Sequence, residues 1–245
     1  MLSLELVPRY ENDCLQEGLE AFTEFEQINA INIPDVLRVP IRSWEMVSSF
    51  LAKQIDGIPH LRSIDRTAED TIRILAPLVA MGMTKVLIVT GDIPANPQFI
   101  SSGQSPIDYV KPIKKAFPKL KVYAALDPYR SSISEEISYC NQKIDAGFDG
   151  FFTQPFFETE LLSIYLNRLQ GTEVFAGISP VTSQRSIAYW EKVNKVSFPK
   201  GFQTKLQYQA ALSRDLLKVA ESYNQHSYMM PITLPAVEYL RAVFS

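Results

Sequence analysis

Val86-Leu87-Ile88-Val89-Thr90-Gly91-Asp92-Ile93-Pro94 is an apolar run that stops abruptly in a polar turn. A short continuous apolar run bounded by turn residues is the pattern of a strand buried on both faces, as in a parallel sheet. Asp92 then stands on a tight loop at the strand's C-terminal end, the place where ligands bind in α/β proteins. Gly91 and Asp92 equally suit a plain turn. Which reading holds depends on what surrounds the strand.

Working outward, the same alternation repeats in both directions. Leu2 to Val7 reads as a strand, Cys14 to Phe25 carries Leu15, Leu19, Phe22 and Phe25 at helical spacing, and Ile28 to Ile33 is again strand-like. A helix follows from Ser43 to Lys53, a strand from Ile58 to Ile64, and a helix from Ala68 to Met81 with Thr67 as its N-cap and Asp70 completing a capping box. Beyond Pro94, the stretch Ala95 to Ser105 has no regular period and reads as a lid or ligand loop. Helices are then expected at Asp108 to Phe117, Ser134 to Ala146 (closed by Gly147), Glu158 to Leu169, Ser183 to Val193, Leu206 to Tyr223 and Ala236 to Phe244. Strands are expected at Lys121 to Leu126, Gly150 to Thr153, Val174 to Ile178 and Ser227 to Ile232, and Asn194 to Gly201 forms a basic, proline-containing loop.

Eight strands, each followed by a helix and with no shift in composition along the chain, predict an α/β protein of one domain over residues 1–245, a single (β/α)8 barrel. A doubly wound open sheet is the alternative. A closed barrel gathers every strand's C-terminal end around one mouth. Glu5, Asn32, Asp35, His60, Asp65, Asp92, Asp127, Gln154, Ser179 and Thr233 would then share a pocket.

With 46% hydrophobic and 21% charged residues over 245 positions, the composition is that of a globular chain with a substantial core. A net charge of -3 and a pI near 5.5 give no general footprint for nucleic acid or an anionic membrane. Met1 to Pro8 has no basic segment followed by a long apolar core, and no run approaches a membrane span, so a cytoplasmic location is expected. Cys14 and Cys140 lie far apart and form no CxxC pair; His60 and His226 stand without an HExxH or Cys/His cluster, so no catalytic zinc site is expected. G-x-G-x-x-G, Walker A and G-x-S-x-G are all missing from the sequence, so a nucleotide would be held by something other than those glycine-rich loops.

Acids and a histidine at a barrel mouth suit a metal, acid/base chemistry or hydrogen bonding to a large polar ligand. Asp35, Asp65, Asp92 and Asp127 have the character of Mg or Mn ligands. The nearby aromatics Phe152, Phe156, Phe157, Tyr189 and Trp190 favour a flat heterocycle instead, with core packing as the other reading, above all for Phe152. Glu5 is the most informative acid because its strand is otherwise apolar. Desolvated at the mouth, its carboxyl would have a raised pKa and act as a general acid; paired with Arg9 or Arg62, it would be structural.

Five segments carry a resemblance. Ser3-Leu4-Glu5-Leu6-Val7-Pro8, Pro59-His60-Leu61-Arg62-Ser63-Ile64-Asp65, Val89-Thr90-Gly91-Asp92-Ile93-Pro94, Lys143-Ile144-Asp145-Ala146-Gly147 through Thr153-Gln154-Pro155-Phe156-Phe157, and Gly177-Ile178-Ser179-Pro180-Val181 occur in an order that resembles the methylenetetrahydrofolate reductase family. Together they cover nearly the whole chain. The resemblance implies a flavin-containing barrel, with FAD taking a hydride from NADH or NADPH and passing it to 5,10-methylenetetrahydrofolate, in the supply of methyl groups for methionine. It implies Glu5 as the general acid, Asp92 beside the flavin and the pterin, and Gln154 and Trp190 as folate contacts. Asn32, His60, Val89, Thr90, Gly91, Asp92, Leu126 and Lys143 fall at FAD positions, Lys143 toward the phosphates.

The departures from the family pattern are as specific. Thr90 stands where an arginine is common, Leu126 near a flavin-packing tyrosine position, Gln142 at an arginine position and Asn32 at a threonine position. Three of these changes remove charge or stacking that would hold FAD. The chain is also shorter than typical members, with no regulatory domain expected after the barrel. Two other functions follow from the departures: a flavin-free folate-dependent methyltransferase or demethylase, and a non-catalytic folate-binding subunit of a larger complex. A homo-oligomer is compatible with all three.

Overall fold

The structure is a computed structural model that describes residues 1–93 and 98–245. Pro94 and the first residues of the expected lid, 95–97, lie outside the described residues. Strands β1 (Leu2–Glu5), β2 (Ile28–Ile33), β3 (Gly57–Arg62), β4 (Lys85–Val89), β5 (Lys121–Leu126), β6 (Gly150–Pro155), β7 (Glu173–Ile178) and β8 (His226–Met229) pair in sequence order, all parallel, and β8 returns to β1. The doubly wound alternative is thereby excluded. Outside lie α1 (Glu11–Glu24), α2 (Ser43–Leu51), α3 (Ala68–Ala80), α4 (Pro106–Ala116), α5 (Ile133–Ala146), α6 (Thr159–Arg168), α7 (Gln184–Asn194), α8 (Leu206–Ser222) and α9 (Ala236–Phe244). Among the described residues, no helix is long and apolar enough to cross a membrane.

Barrel closure creates two cores. Between strands and helices, residues such as Leu4, Ile31, Leu61, Ile88, Ala124, Phe151 and Leu240 form the outer core. Facing inward, Ala30, Ile58, Leu87, Tyr123, Phe152, Phe175 and Tyr228 fill the lumen. There Phe152 and Phe175 stack at 4.1 Å, with Tyr123 edge-on to both at 5.3 and 5.4 Å. This plug makes the lower barrel solid and leaves chemistry to the upper mouth. Phe152 is therefore core, the second of its two sequence readings.

Local chemistry explains the boundaries. Thr67 caps α3 in a reciprocal box with Asp70, as its sequence predicts. Helix α4 begins two residues earlier than the periodicity suggests, because Ser105 and Asp108 form a capping box and Pro106, lacking an N–H, suits the first turn. Strand β1 ends at Glu5 and β8 at Met229, each shorter than its apolar run; Pro8 and Pro231 follow within a few residues and supply no N–H to extend a ladder. The described part of the expected lid is tied down: Ser102 donates through N to the Ile64 carbonyl at 2.9 Å and through Oγ to that of Ser63 at 2.6 Å.

Candidate active site at the barrel mouth

Glu5 is the last residue of β1, in register with Asn32 of β2. Its carboxyl meets neither Arg9 nor Arg62 in an ion pair. Instead Oε2 accepts a hydrogen bond from the Tyr228 hydroxyl and lies 3.9 Å from His60 Nδ1. Burial pushes the Glu5 pKa from 4.5 up to about 7, opposed by the Tyr228 hydrogen bond. A carboxyl poised there is half protonated near neutrality, the state a general acid needs.

His60 is neutral for the same reason. Burial drives its pKa down to about 3, and Asn32 Nδ2 lies 3.2 Å from Nε2. With the amide donating, Nε2 accepts and the ring proton sits on Nδ1, facing Glu5. Asn32 Oδ1 is buried without a partner among the described residues, an open acceptor beside this network. Asn32, His60, Glu5 and Tyr228 thus form one polar cluster at the top of an apolar lumen.

The opening stretch forms the adjoining rim, because β4 pairs directly with β3. Val89 packs on the lumen core, Thr90 and Asp92 are exposed, and Gly91 adopts φ +84°. A side chain at Gly91 would place its Cβ 2.8 Å from Arg62 Cζ. Arg62 grips Asp65 through Nε and Nη2 and donates from Nη2 to the Asp92 carbonyl, so Asp92 is held by its backbone with its carboxylate outward. Asp92 thus stands exposed on the rim beyond β4, anchored through its own carbonyl.

The other acids have partners that the sequence does not reveal. The Asp35 side chain, fully buried, takes Arg42 at 3.1 Å and Arg66 at 3.0 Å, and Arg66 lies over Trp44. The Asp127 carboxylate accepts from Tyr129 N at 3.0 Å, its own N–H donates to the buried Glu136, and burial raises its pKa. Glu136 in turn pairs with Arg130. Asp35 and Asp65 are thus spoken for by arginines, and among the described residues no three acidic, histidine or cysteine side chains gather as metal ligands would. Cys14 and Cys140 are buried thiols whose pKa values rise to about 12, too high for nucleophilic work.

The remaining predicted positions divide. Gln154 is exposed at the end of β6, and Ser179 is buried, its Oγ donating to the Met230 carbonyl at 2.8 Å. Trp190 is only 6% exposed, packed edge-on against Phe157 at 5.4 Å in a cluster with Val181 and Val196 that Tyr129, Phe198 and Phe202 border. Leu126 points into the outer core, so it offers the lumen no side chain. The Lys143 ammonium is buried, donating to the Ala125 carbonyl at 2.6 Å and lying 4.0 Å over the Tyr139 ring, and burial lowers its pKa to about 8. The structure therefore brings Glu5, Asn32, His60 and Val89 to one mouth with Thr90, Gly91 and Asp92 on its rim, and does not bring Leu126 or Lys143 there. Tyr228 is the member that sequence reasoning missed: its partner lies 223 residues away, and only β8–β1 closure joins them.

A family model described as methylenetetrahydrofolate reductase matches residues 39–220, about three quarters of the chain. The match takes in His60 and Asp92 and stops short of Glu5, Asn32 and Tyr228, which barrel closure adds. Among curated relatives, a probable methylenetetrahydrofolate reductase (NADPH) of Caenorhabditis elegans is 23% identical over 60% of this chain and 24% of its own length. The 5,10-methylenetetrahydrofolate reductase of Pectobacterium carotovorum is 23% identical over 61% and 52%, and that of Escherichia coli 22% over 59% and 51%. The chain thus matches about half the length, or less, of these relatives. Among solved structures, 2,3-dimethylmalate lyase, of the PEP mutase/isocitrate lyase superfamily, superposes with TM-score 0.61 at 11% identity over 98% of this chain and 78% of its own, a likeness of barrel fold alone.

Proposed function

The chain belongs to the methylenetetrahydrofolate reductase family, and we propose that it reduces 5,10-methylenetetrahydrofolate to 5-methyltetrahydrofolate, with FAD as cofactor and NADH or NADPH as reductant. The observation that carries this reading is Glu5: a carboxyl desolvated at the mouth of a solid barrel, its pKa raised to about 7, with a neutral histidine beside it. Opening the methylene bridge needs such an acid. Proton transfer from Glu5 to the bridge nitrogen lets the C–N bond break, leaving an iminium carbon that accepts hydride and becomes the methyl group.

One group at the mouth supports a flavin there. Asn32 Oδ1 is a buried acceptor without a partner among the described residues, one that a ring N–H would satisfy, while the space beside Gly91 is taken by the Arg62 guanidinium. Asn32, His60, Val89, Thr90, Gly91 and Asp92 would hold the ring. Bound there, FAD would supply a two-electron store between nicotinamide and folate. Asp92 places negative charge at the rim, and Gln154, exposed on the far side, offers an amide to the pterin. Trp190 contributes through the aromatic wall it shares with Phe157. Lys143 reaches a phosphate only by releasing the Ala125 carbonyl.

The second reading, a flavin-free folate-dependent methyl transfer, is favoured by the same positions: Leu126 faces the outer core and Lys143 is turned to backbone. Titrating the purified protein with FAD, then with NADH under anaerobic conditions, separates the two. Our reading expects a bound yellow chromophore that NADH bleaches and methylenetetrahydrofolate restores. A protein that takes up no FAD and oxidises no NADH with that folate overturns it.

A further inference from the structure

Tyr228 sits on β8, in register with Ser3 of β1, and its phenol reaches Glu5 two residues further along. Its ring is fixed edge-on against Phe152 at 5.2 Å, with the His60 ring 6.1 Å away. Burial and the neighbouring Glu5 charge push the phenol's pKa well above its ordinary value, so the hydroxyl keeps its proton and acts as the donor. Glu5 Oε2 accepts that bond and is also the oxygen that faces His60 Nδ1. One carboxyl oxygen is thereby occupied by the protein.

We infer that Tyr228 is the positioning residue of the site: by donating to Oε2, it fixes the Glu5 carboxyl and assigns the transferable proton to Oε1. The inference rests on reading Glu5 as the proton donor. A carboxyl without this anchor would rotate, presenting either oxygen, and its proton would meet the substrate in only a fraction of encounters. The groups that face Glu5 are Tyr228 from β8, His60 from β3 and, behind His60, Asn32 from β2; Arg9 and Glu17 line the small cavity beside it. His60 stays neutral down to about pH 3, so the change of charge near neutrality is that of Glu5 itself.

The test is an infrared titration of the protonated carboxyl C=O stretch in the isolated protein, assigned to Glu5 by its loss in Glu5→Gln. The wild-type band should disappear with a midpoint near pH 7. Tyr228→Phe removes the hydrogen bond that favours the ionised form, so its midpoint should rise by about one pH unit. Replacing Tyr228 with 2,3-difluorotyrosine, a stronger donor of the same shape, should move the midpoint down, which gives a test even if the phenylalanine variant fails to fold. Midpoints unmoved in the folded variants overturn the inference, whatever the activity. Midpoints that move in a protein that never reduces the folate leave the positioning role intact and overturn the assigned reaction instead. If both hold, the high-pH limb of folate reduction shifts with the band.

Discussion

Replacing Glu5 by Gln should stabilise the protein, and do so more as the pH rises. The folded carboxyl titrates at about 7 and the unfolded one at 4.5, so between those values the folded chain holds more protons than the unfolded chain and stability falls as pH increases. Full ionisation across that gap corresponds to about 3 kcal/mol. At pH 5 only about 1 kcal/mol of it is felt, so the advantage of the variant should grow by about 2.5 kcal/mol from pH 5 to pH 8. Gln keeps a carbonyl oxygen for the Tyr228 hydroxyl, which confines the perturbation to charge. His60 has the opposite dependence: its folded pKa of about 3 against 6.5 means that stability is lost as pH falls through that range, but it is present in both proteins and cancels in the comparison. Urea unfolding followed by tryptophan fluorescence, with Trp190 buried as a native-state reporter, measures both proteins at both pH values. Parallel stability curves would show that Glu5 is not held protonated by the fold, and the acid role would lose its basis.

Three other outcomes follow from the same contacts. Gly91→Ala forces a side chain into φ +84° and against the Arg62 guanidinium; stability should fall by about 1–3 kcal/mol, seen as a lower thermal midpoint, and an unchanged midpoint would refute the Arg62 packing. Asp35→Ala leaves Arg42 and Arg66 facing each other without their shared carboxylate and should cost about 3 kcal/mol in urea unfolding, whereas a loss under about 0.5 kcal/mol would mean the pair contributes nothing. His60→Gln keeps an acceptor for Asn32 and removes a buried base, so acid unfolding, followed by circular dichroism, should move to lower pH; no movement would contradict a neutral buried His60.

Much of the barrel was legible because a helix and a strand have different periods. Strands β2 and β5 and helix α9 run over the ranges that periodicity predicts, and the capping box at Thr67 marks the start of α3. Glu5 stood out as one acid in an apolar strand. What the sequence hid was parity and closure. Strand β5 is buried on both faces, so its apolar run carries no alternation to show that Tyr123 points inward and Leu126 outward. Lys143, which the resemblance places toward the FAD phosphates, lies on α5, and only the fold shows its stem buried and its ammonium on a backbone carbonyl. The Arg66 bond to Asp35 and the Tyr228 bond to Glu5 join residues distant in sequence, and no local pattern encodes them.

The central claim is that Glu5 supplies the proton that methylenetetrahydrofolate reduction requires. Anaerobic stopped-flow measurement of the two half-reactions, in wild type and Glu5→Gln loaded with FAD, tests it most directly. The account predicts that NADH bleaches the flavin in both proteins at similar rates, and that methylenetetrahydrofolate restores the oxidised spectrum in the wild type while the variant stays reduced. A variant that reoxidises as fast as the wild type, or one in which both halves fail together, would contradict it.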